Sequence, residues 1–479
     1  MICISPILVI IFTSIFVLLL DAFLPNGDKK LLAIITGLGL VIAGATSYLL
    51  WEAQPQSLFH QALRIDQFSI FFNFIFLFLT GFTLVSALPK FDSQHPFPGE
   101  FFFFLLAACS GMMLMASSSD LITFFMSLEI MSLTLYVLTG LYKQRIQSIE
   151  ASLKYFLLGA FSTGFLLLGI VFIYAATHTT SFAAIGHYLI TSEHVLPPIF
   201  MLGVGLLLTG FAFKVGAVPF HMWVPDVYEG APTVITGYMA TAVKAAGFAV
   251  LIRFFLVTLL PILNSFSTVM ITITILTMTV GNLAALIQNN IKRMLAYSSI
   301  AHAGYILIAI CSANSQSFNL SIGAVVFYLV AYGMMTFGAF IVLSAVSTHK
   351  HIHTLKDVIG LGFKNPWLGA SFSVFLLSLT GIPLTAGFIG KFYIFSTALK
   401  AGFYGLALMG ILNSLLAAYY YLRVIVYLYM KDEEGVLEKQ TPEFAWHVVI
   451  GIMAFATLYF GIFPTPILNF IEKAVLALF

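Results

Sequence analysis

Apolar residues run along this chain in long uninterrupted stretches, each bounded by Pro, Gly, Asn or charge. Barrel strands would be short and alternating, whereas runs of about 20 apolar residues match helices that cross a bilayer. The pattern predicts an all-α polytopic membrane protein of about 14 transmembrane helices. The first six are expected at Ile4 to Leu24, Leu31 to Trp51, Phe68 to Leu88, Glu100 to Ser117, Leu121 to Tyr142 and Ala151 to Thr177. Four more follow at Ile199 to Met222, Thr233 to Leu260, Ser267 to Gln288 and Lys292 to Ser312. The last four are Asn319 to Ser347, Trp367 to Leu399, Phe403 to Met430 and Ala445 to Phe463. No Lys or Arg precedes the first run, and Asp21 stands where a signal peptide would need a small residue, so this run is expected to persist as helix one.

Composition agrees with that reading. Of 479 residues 60% are hydrophobic and 8% charged, against about 25% charged in soluble proteins. A net charge of +2 removes the electrostatic case for nucleic-acid binding. Cys3, Cys109 and Cys311 form no CxxC pair, so no zinc, iron-sulfur or disulfide framework is expected. The run His349-Lys-His351-Ile-His353 lacks Cys or acid at ligand spacing and reads as solvated loop. Gly360-Leu-Gly362 lacks the third glycine of a nucleotide loop. Neither a cofactor nor a metal is expected on this chain, which argues against a self-contained enzyme.

Numbering the loops alternately segregates the basic residues. Lys29, Lys30, Lys90, Lys143, Arg145, Lys292, Arg293, Lys350, Lys356, Lys364, Lys431 and Lys439 fall on one side, and only Arg64, Lys400 and Lys473 on the other. The crowded side is the cytoplasmic one by the positive-inside rule, which puts both termini outside.

Lys154, Lys214, Lys244, Arg253, Lys391 and Arg423 remain, all within spans. A charge at the bilayer centre costs about 2.5–3.5 kcal/mol, so each requires a reason. Glu129 lies nine residues past Asp120, roughly 14 Å deep at 1.5 Å per residue. One acid cannot neutralise Lys214, Lys244 and Lys391 together. Desolvated amines exchange protons more readily than solvated ones, so a proton relay outweighs a structural ion pair for these four. Arg253 and Arg423 cannot deprotonate and read as structural. Lys154 is near enough to the surface to snorkel. It joins His221 and His302, whose imidazoles titrate in the useful range, as a candidate relay member.

Two spans carry proline beside small residues: Lys214-Val-Gly216-Ala-Val-Pro219, and Thr380-Gly381-Ile-Pro383 followed by Gly387 and Gly390-Lys391. Proline breaks the helix, and irregular backbone in a membrane survives only where protein or water covers it. The breaks are five spans apart, an odd number, so two five-helix units would insert as inverted repeats. The expected divisions are 1–98 for three N-terminal helices, 99–265 and 266–432 for the two repeats, and 433–479 for the C-terminal helix and tail. Ionisable groups linking half-channels on such broken helices can move protons across.

Five segments carry a family resemblance. They are the run from Glu129 to Leu138, Lys154 to Ser162, Lys214 to Pro232, Lys292 to Ser299 and Leu379 to Phe392. Over essentially the whole chain the sequence closely resembles the antiporter-like membrane subunits of bacterial NADH-quinone oxidoreductase, respiratory complex I. Lys391 in the twelfth helix, the Asp226-Val-Tyr-Glu229-Gly-Ala-Pro loop and an end at Phe479 with no room for a lateral helix resemble the subunit N type. The resemblance implies proton export coupled to electron transfer from NADH to quinone. It implies FMN, iron-sulfur clusters and quinone on partner subunits, other membrane-arm subunits as neighbours, and a bacterial inner membrane with periplasmic termini. It also implies that Glu129 pairs with Lys214, that Lys244 is the central relay and that Lys391 is the outlet group. Rival readings are a subunit of a Mrp-type cation/proton antiporter or a membrane-bound hydrogenase, and a non-pumping scaffold.

Overall fold

The computed structural model describes residues 2–24, 29–91, 98–191, 196–314, 317–347, 354–431 and 443–478. The His349 to His353 cluster, Lys350 and Lys439 lie outside the described residues. Three helices open the chain: α1 (Ser5–Phe23), α2 (Lys29–Leu49) and α3 (Gln67–Ala87). Then come α4 (Pro98–Ser117), α5 (Leu121–Thr139), α6 (Ile146–Thr177), the short α7 (Phe182–Thr191) and α8 (Pro198–Val215). Next are α9 (Trp223–Gly230), α10 (Thr233–Tyr238), α11 (Lys244–Leu251), α12 (Leu263–Leu286), α13 (Ile291–Cys311) and α14 (Phe318–Val346). The remainder are α15 (Leu361–Lys364), α16 (Pro366–Thr380), α17 (Ala386–Lys400), α18 (Tyr404–Tyr429), α19 (Phe444–Ile462) and α20 (Thr465–Leu476).

Among the described residues 13 helical stretches are long and apolar enough to span a membrane, one of them the composite Thr233–Thr258. The broken pair α16 and α17 supplies the other expected span, so the 14 expected from the sequence are present. Packing repeats with a period of five spans. Helix α4 packs on α5 as α12 packs on α13, α6 on α8 as α14 on α16 and α17, and α11 back on α4 as α18 on α12. Small elements missing from the sequence reading are the antiparallel hairpin β1 (Gln56–Leu58) and β2 (Leu63–Ile65), with Gln56 opposite Ile65, and helices α7 and α20.

Loop contacts bear out the alternation. On the side with few basic residues, Ser119 N donates to Ala62 O, Leu121 N to Thr180 O, and Arg64 to the carbonyls of Ala477 and Leu478. On the basic side, Lys90 reaches Ser347, Leu355 N donates to Asn289 O and Gly360 N to Tyr427 O. An error of one helix would have mixed these two sets.

The composite eighth span is 94% buried and departs from α geometry on both sides of Lys244. Met239–Val243 and Ile252–Thr258 are π-helical. Such turns often mark functional positions.

Candidate functional site

Both breaks are built the same way. Helix α8 ends at Gly216 (φ 74°) and α16 at Gly381 (φ 92°), left-handed residues that only glycine adopts without cost. In each, the next residue closes a six-to-one hydrogen bond, Ala217 N to Ala212 O and Ile382 N to Leu377 O, the helix-ending motif glycine permits. Tertiary partners satisfy the freed backbone: Val218 N donates to Thr277 Oγ1, and Gly387 N to Ser378 Oγ. The peptide before Pro219 is cis. The covering that irregular membrane backbone requires is therefore present.

Each break sets a lysine at the carbonyl end of a half-helix, where the dipole favours a cation. Lys391 on α17 donates to Leu379 O (2.9 Å), Thr380 O (2.9 Å) and Ser414 Oγ (2.8 Å), and lies 5.1 Å from the centre of the Tyr305 ring. These three bonds use all three ammonium donors. Lys214, in the last turn of α8, donates to Ser132 Oγ at 2.9 Å. Lys244 donates to Ser299 O (2.6 Å) and Ser299 Oγ (2.5 Å) and faces the Tyr332 ring at 5.3 Å. All three lysines are buried, and none has a carboxylate within ion-pair distance among the described residues.

Among the described residues no Glu129–Lys214 ion pair is present. Lys214 instead takes the hydroxyl of Ser132, one turn along α5 from Glu129. Glu129 Oε1 is buried without a hydrogen-bond partner. Its helix exposes Ile122, Met126, Ile130, Leu133 and Val137, so the carboxylate stands beside a face open to lipid or a neighbouring subunit.

His302 packs against the aromatic rings that both Lys244 and Lys391 face. It is fully buried, with Nδ1 hydrogen-bonded to Tyr328 OH (2.6 Å) and Nε2 to Tyr421 OH (3.0 Å). Its ring touches Tyr332, which Lys244 faces, and Tyr305, which Lys391 faces. Tyr421 bonds Ser298 in turn. Asn282 holds the hydroxyls of Tyr305 and Tyr420. These serines, tyrosines and Asn282 were missed in the sequence. The His302/Tyr305 and Tyr328/Tyr332 spacings were the available signal, since i,i+3 and i,i+4 residues share a helix face.

The other candidates stand apart. Lys154 bonds Asp226 (2.8 Å) and Glu150 (2.7 Å) at the basic rim. Asp226 also takes Arg293, and Glu229 takes Arg293 and Asn290. Burial works against the Asp226 carboxylate, but the hydrogen bonds from Lys154 and Arg293 outweigh it and hold the group below its usual range. His221 sits past Pro219 with Nδ1 buried and unpartnered, and bonds none of the three buried lysines. Arg253 pairs with Asp66 at 2.5 Å, and Arg423 donates to the carbonyls of Leu286 and Gln288. Both arginines are thus held by fixed partners within the protein.

The model of one protein family, described as NADH:quinone oxidoreductase/Mrp antiporter, TM, matches residues 118–417. The chain belongs to this family. NADH-quinone oxidoreductase subunit N of Trichlorobacter lovleyi is 43% identical over 96% of this chain and 93% of its own length. Subunit N of Chloroflexus aggregans is 38% identical over 99% and 97%. A chain of the solved respiratory complex I of Thermus thermophilus with bound aureothin superposes with a TM-score of 0.82 at 34% identity, covering 97% of this chain and 98% of that one. A chain of an archaeal membrane-bound sulfane sulfur reductase shares the fold, with a TM-score of 0.88 at 24% identity over 99% of this chain and 97% of its own. The family fold thus serves several membrane complexes, and the higher identities are those of subunit N proteins.

Proposed function

We propose that this chain is a proton-translocating membrane-arm subunit of an NADH:quinone oxidoreductase. It passes protons along Glu129, Lys214, Lys244, His302 and Lys391 toward the outer face. One observation carries this reading: the buried lysines are held by hydroxyls, carbonyls and aromatic faces, with no carboxylate at ion-pair distance among the described residues. A structural ion pair would be neutralised in place. An ammonium held by neutral acceptors can lose its proton without leaving a buried anion behind.

The chain's own residues supply the steps. Glu129 draws Lys214 away from Ser132 or releases it, and a released Lys214 passes its proton toward Lys244. His302, clamped between two tyrosine hydroxyls, bridges to Lys391, and the half-helix carbonyls of Leu379 and Thr380 hold the cation until it discharges outward. Moving one charge against the membrane potential costs about 2.3 kcal/mol per 100 mV, so the line is gated. Electron transfer belongs to partner subunits carrying FMN, iron-sulfur clusters and quinone, and other membrane-arm subunits flank the chain. The two units are 99–265 and 266–432, in a bacterial inner membrane with both termini periplasmic. Lys154 serves the entrance, with His221 as an accessory group.

Replacing Glu129 by Gln in the assembled complex tests the first step. The expected result is slowed NADH-driven proton uptake into inverted vesicles with normal assembly. Unaltered pumping would remove Glu129 from the line.

A further inference from the structure

Away from the lysines, on the side with few basic residues, several loops and the chain's C-terminal end surround a cavity of about 440 Å³. Among the described residues Arg64, Arg253 and His187 line it, and no acidic residue does. Behind the wall Asp66 pairs with Arg253 at 2.5 Å and with Arg64 at 3.4 Å. Arg64 also donates to Leu478 O and Ala477 O, and Arg253 to Ala116 O, so each guanidinium keeps only part of its N–H set for a ligand. Helix α7, 10 residues long, begins in the wall at Phe182, whose N–H donates to Ser119 O. The hydroxyls of Ser57, Ser119, Ser181 and Thr258 line the same space.

Apart from Gln61, the rest of the wall is apolar. Phe182, Ile190, Val257 and Leu478 form it, and Ile190 is 74% exposed, so this edge is open at the surface of the chain. An inorganic anion would answer the guanidiniums and leave the apolar wall wet. An anion carrying hydrocarbon satisfies both halves.

We propose that this cavity binds the phosphodiester headgroup of a membrane glycerophospholipid. Arg64 and Arg253 face the phosphate, and the acyl chains leave past Ile190 and Val257. Gly186 offers a way to close the site without touching its charges. A Cβ there would meet only Thr258 O, at 3.6 Å, so the position looks into open space.

The test uses the whole complex in detergent and a photoactivatable phosphatidylglycerol, with crosslinked peptides mapped by mass spectrometry. Crosslinks to residues 182–190 should saturate, fall on adding unlabelled phosphatidylglycerol, and persist in millimolar inorganic phosphate. Gly186→Leu should abolish them. Arg64→Gln, which removes one charge-assisted bond, should raise the half-saturating concentration about tenfold. Both variants should keep NADH-driven pumping, because neither residue belongs to the lysine line. Crosslinking that does not saturate, that survives Gly186→Leu, or that phosphate alone displaces would overturn the proposal, the last by showing an ion site only.

Discussion

The Arg253–Asp66 pair offers a test of whether a buried charge in this chain is structural or belongs to the proposed relay. The pair is 187 residues apart in sequence, with side chains 5% and 0% exposed and 2.5 Å between Nη2 and Oδ1. Replacing Asp66 by Asn keeps an acceptor for Ser69 N, the cap of α3, and removes only the charge. Leaving a buried cation unpaired costs about 3–5 kcal/mol. Arg64, which is 31% exposed and 3.4 Å from the same carboxylate, adds little. Replacing both residues, Asp66→Asn with Arg253→Met, removes the unpaired charge. It should leave a deficit of about 1 kcal/mol for the lost bond from Arg253 Nε to Ala116 O. The assay is reversible unfolding of the purified chain in mixed lipid–detergent micelles, with NADH-driven pumping of the complex measured beside it. The double variant should pump normally. A single-variant cost below about 1 kcal/mol would mean that the pair is screened like a surface bridge, and lost pumping in a stable double variant would place Arg253 in the relay.

Other outcomes follow from the same geometry. Gly381→Ala forces a left-handed residue to carry a Cβ 3.0 Å from Lys391 Cδ; it should cost about 1 kcal/mol or more and slow pumping, read as vesicle acidification. Tyr421→Phe removes a partner of both His302 and Ser298 and should lower the pumping rate while quantitative immunoblotting shows full assembly. Asp226→Asn removes a carboxylate whose folded-state value is depressed. That contribution is present above about pH 4 and fades as pH falls through the folded value, so wild type and variant should differ at pH 7 and converge in acid unfolding curves.

The spans were legible because the bilayer imposes one length and one polarity on every crossing element, and the breaks because Gly216, Pro219, Gly381 and Pro383 leave a mark in any helix. The charged members of the line were legible for a related reason: Lys244 or Lys391 in an apolar run contradicts its surroundings. Hydroxyls do not. Ser132, Ser299 and Tyr421 fit an apolar helix without disturbing its pattern, and their importance appears only when α5 meets α8, α11 meets α13 and α13 meets α18. Partners far apart in sequence, such as Asp66 and Arg253, are set by tertiary packing alone. The hairpin at Gln56–Leu58 and Leu63–Ile65 was too short to show a period. The Glu129–Lys214 pair was inferred from resemblance, and here Ser132 stands in its place.

Proton pumping per electron, measured in inverted membrane vesicles energised with NADH, tests the central claim most directly. Wild type is compared with Lys244→Met and Lys391→Met at matched levels of assembled complex. If the buried lysines carry protons, both variants assemble, and pumping and quinone reduction fall together. Full pumping in both would contradict the account and leave the lysines as structural charges within a family fold.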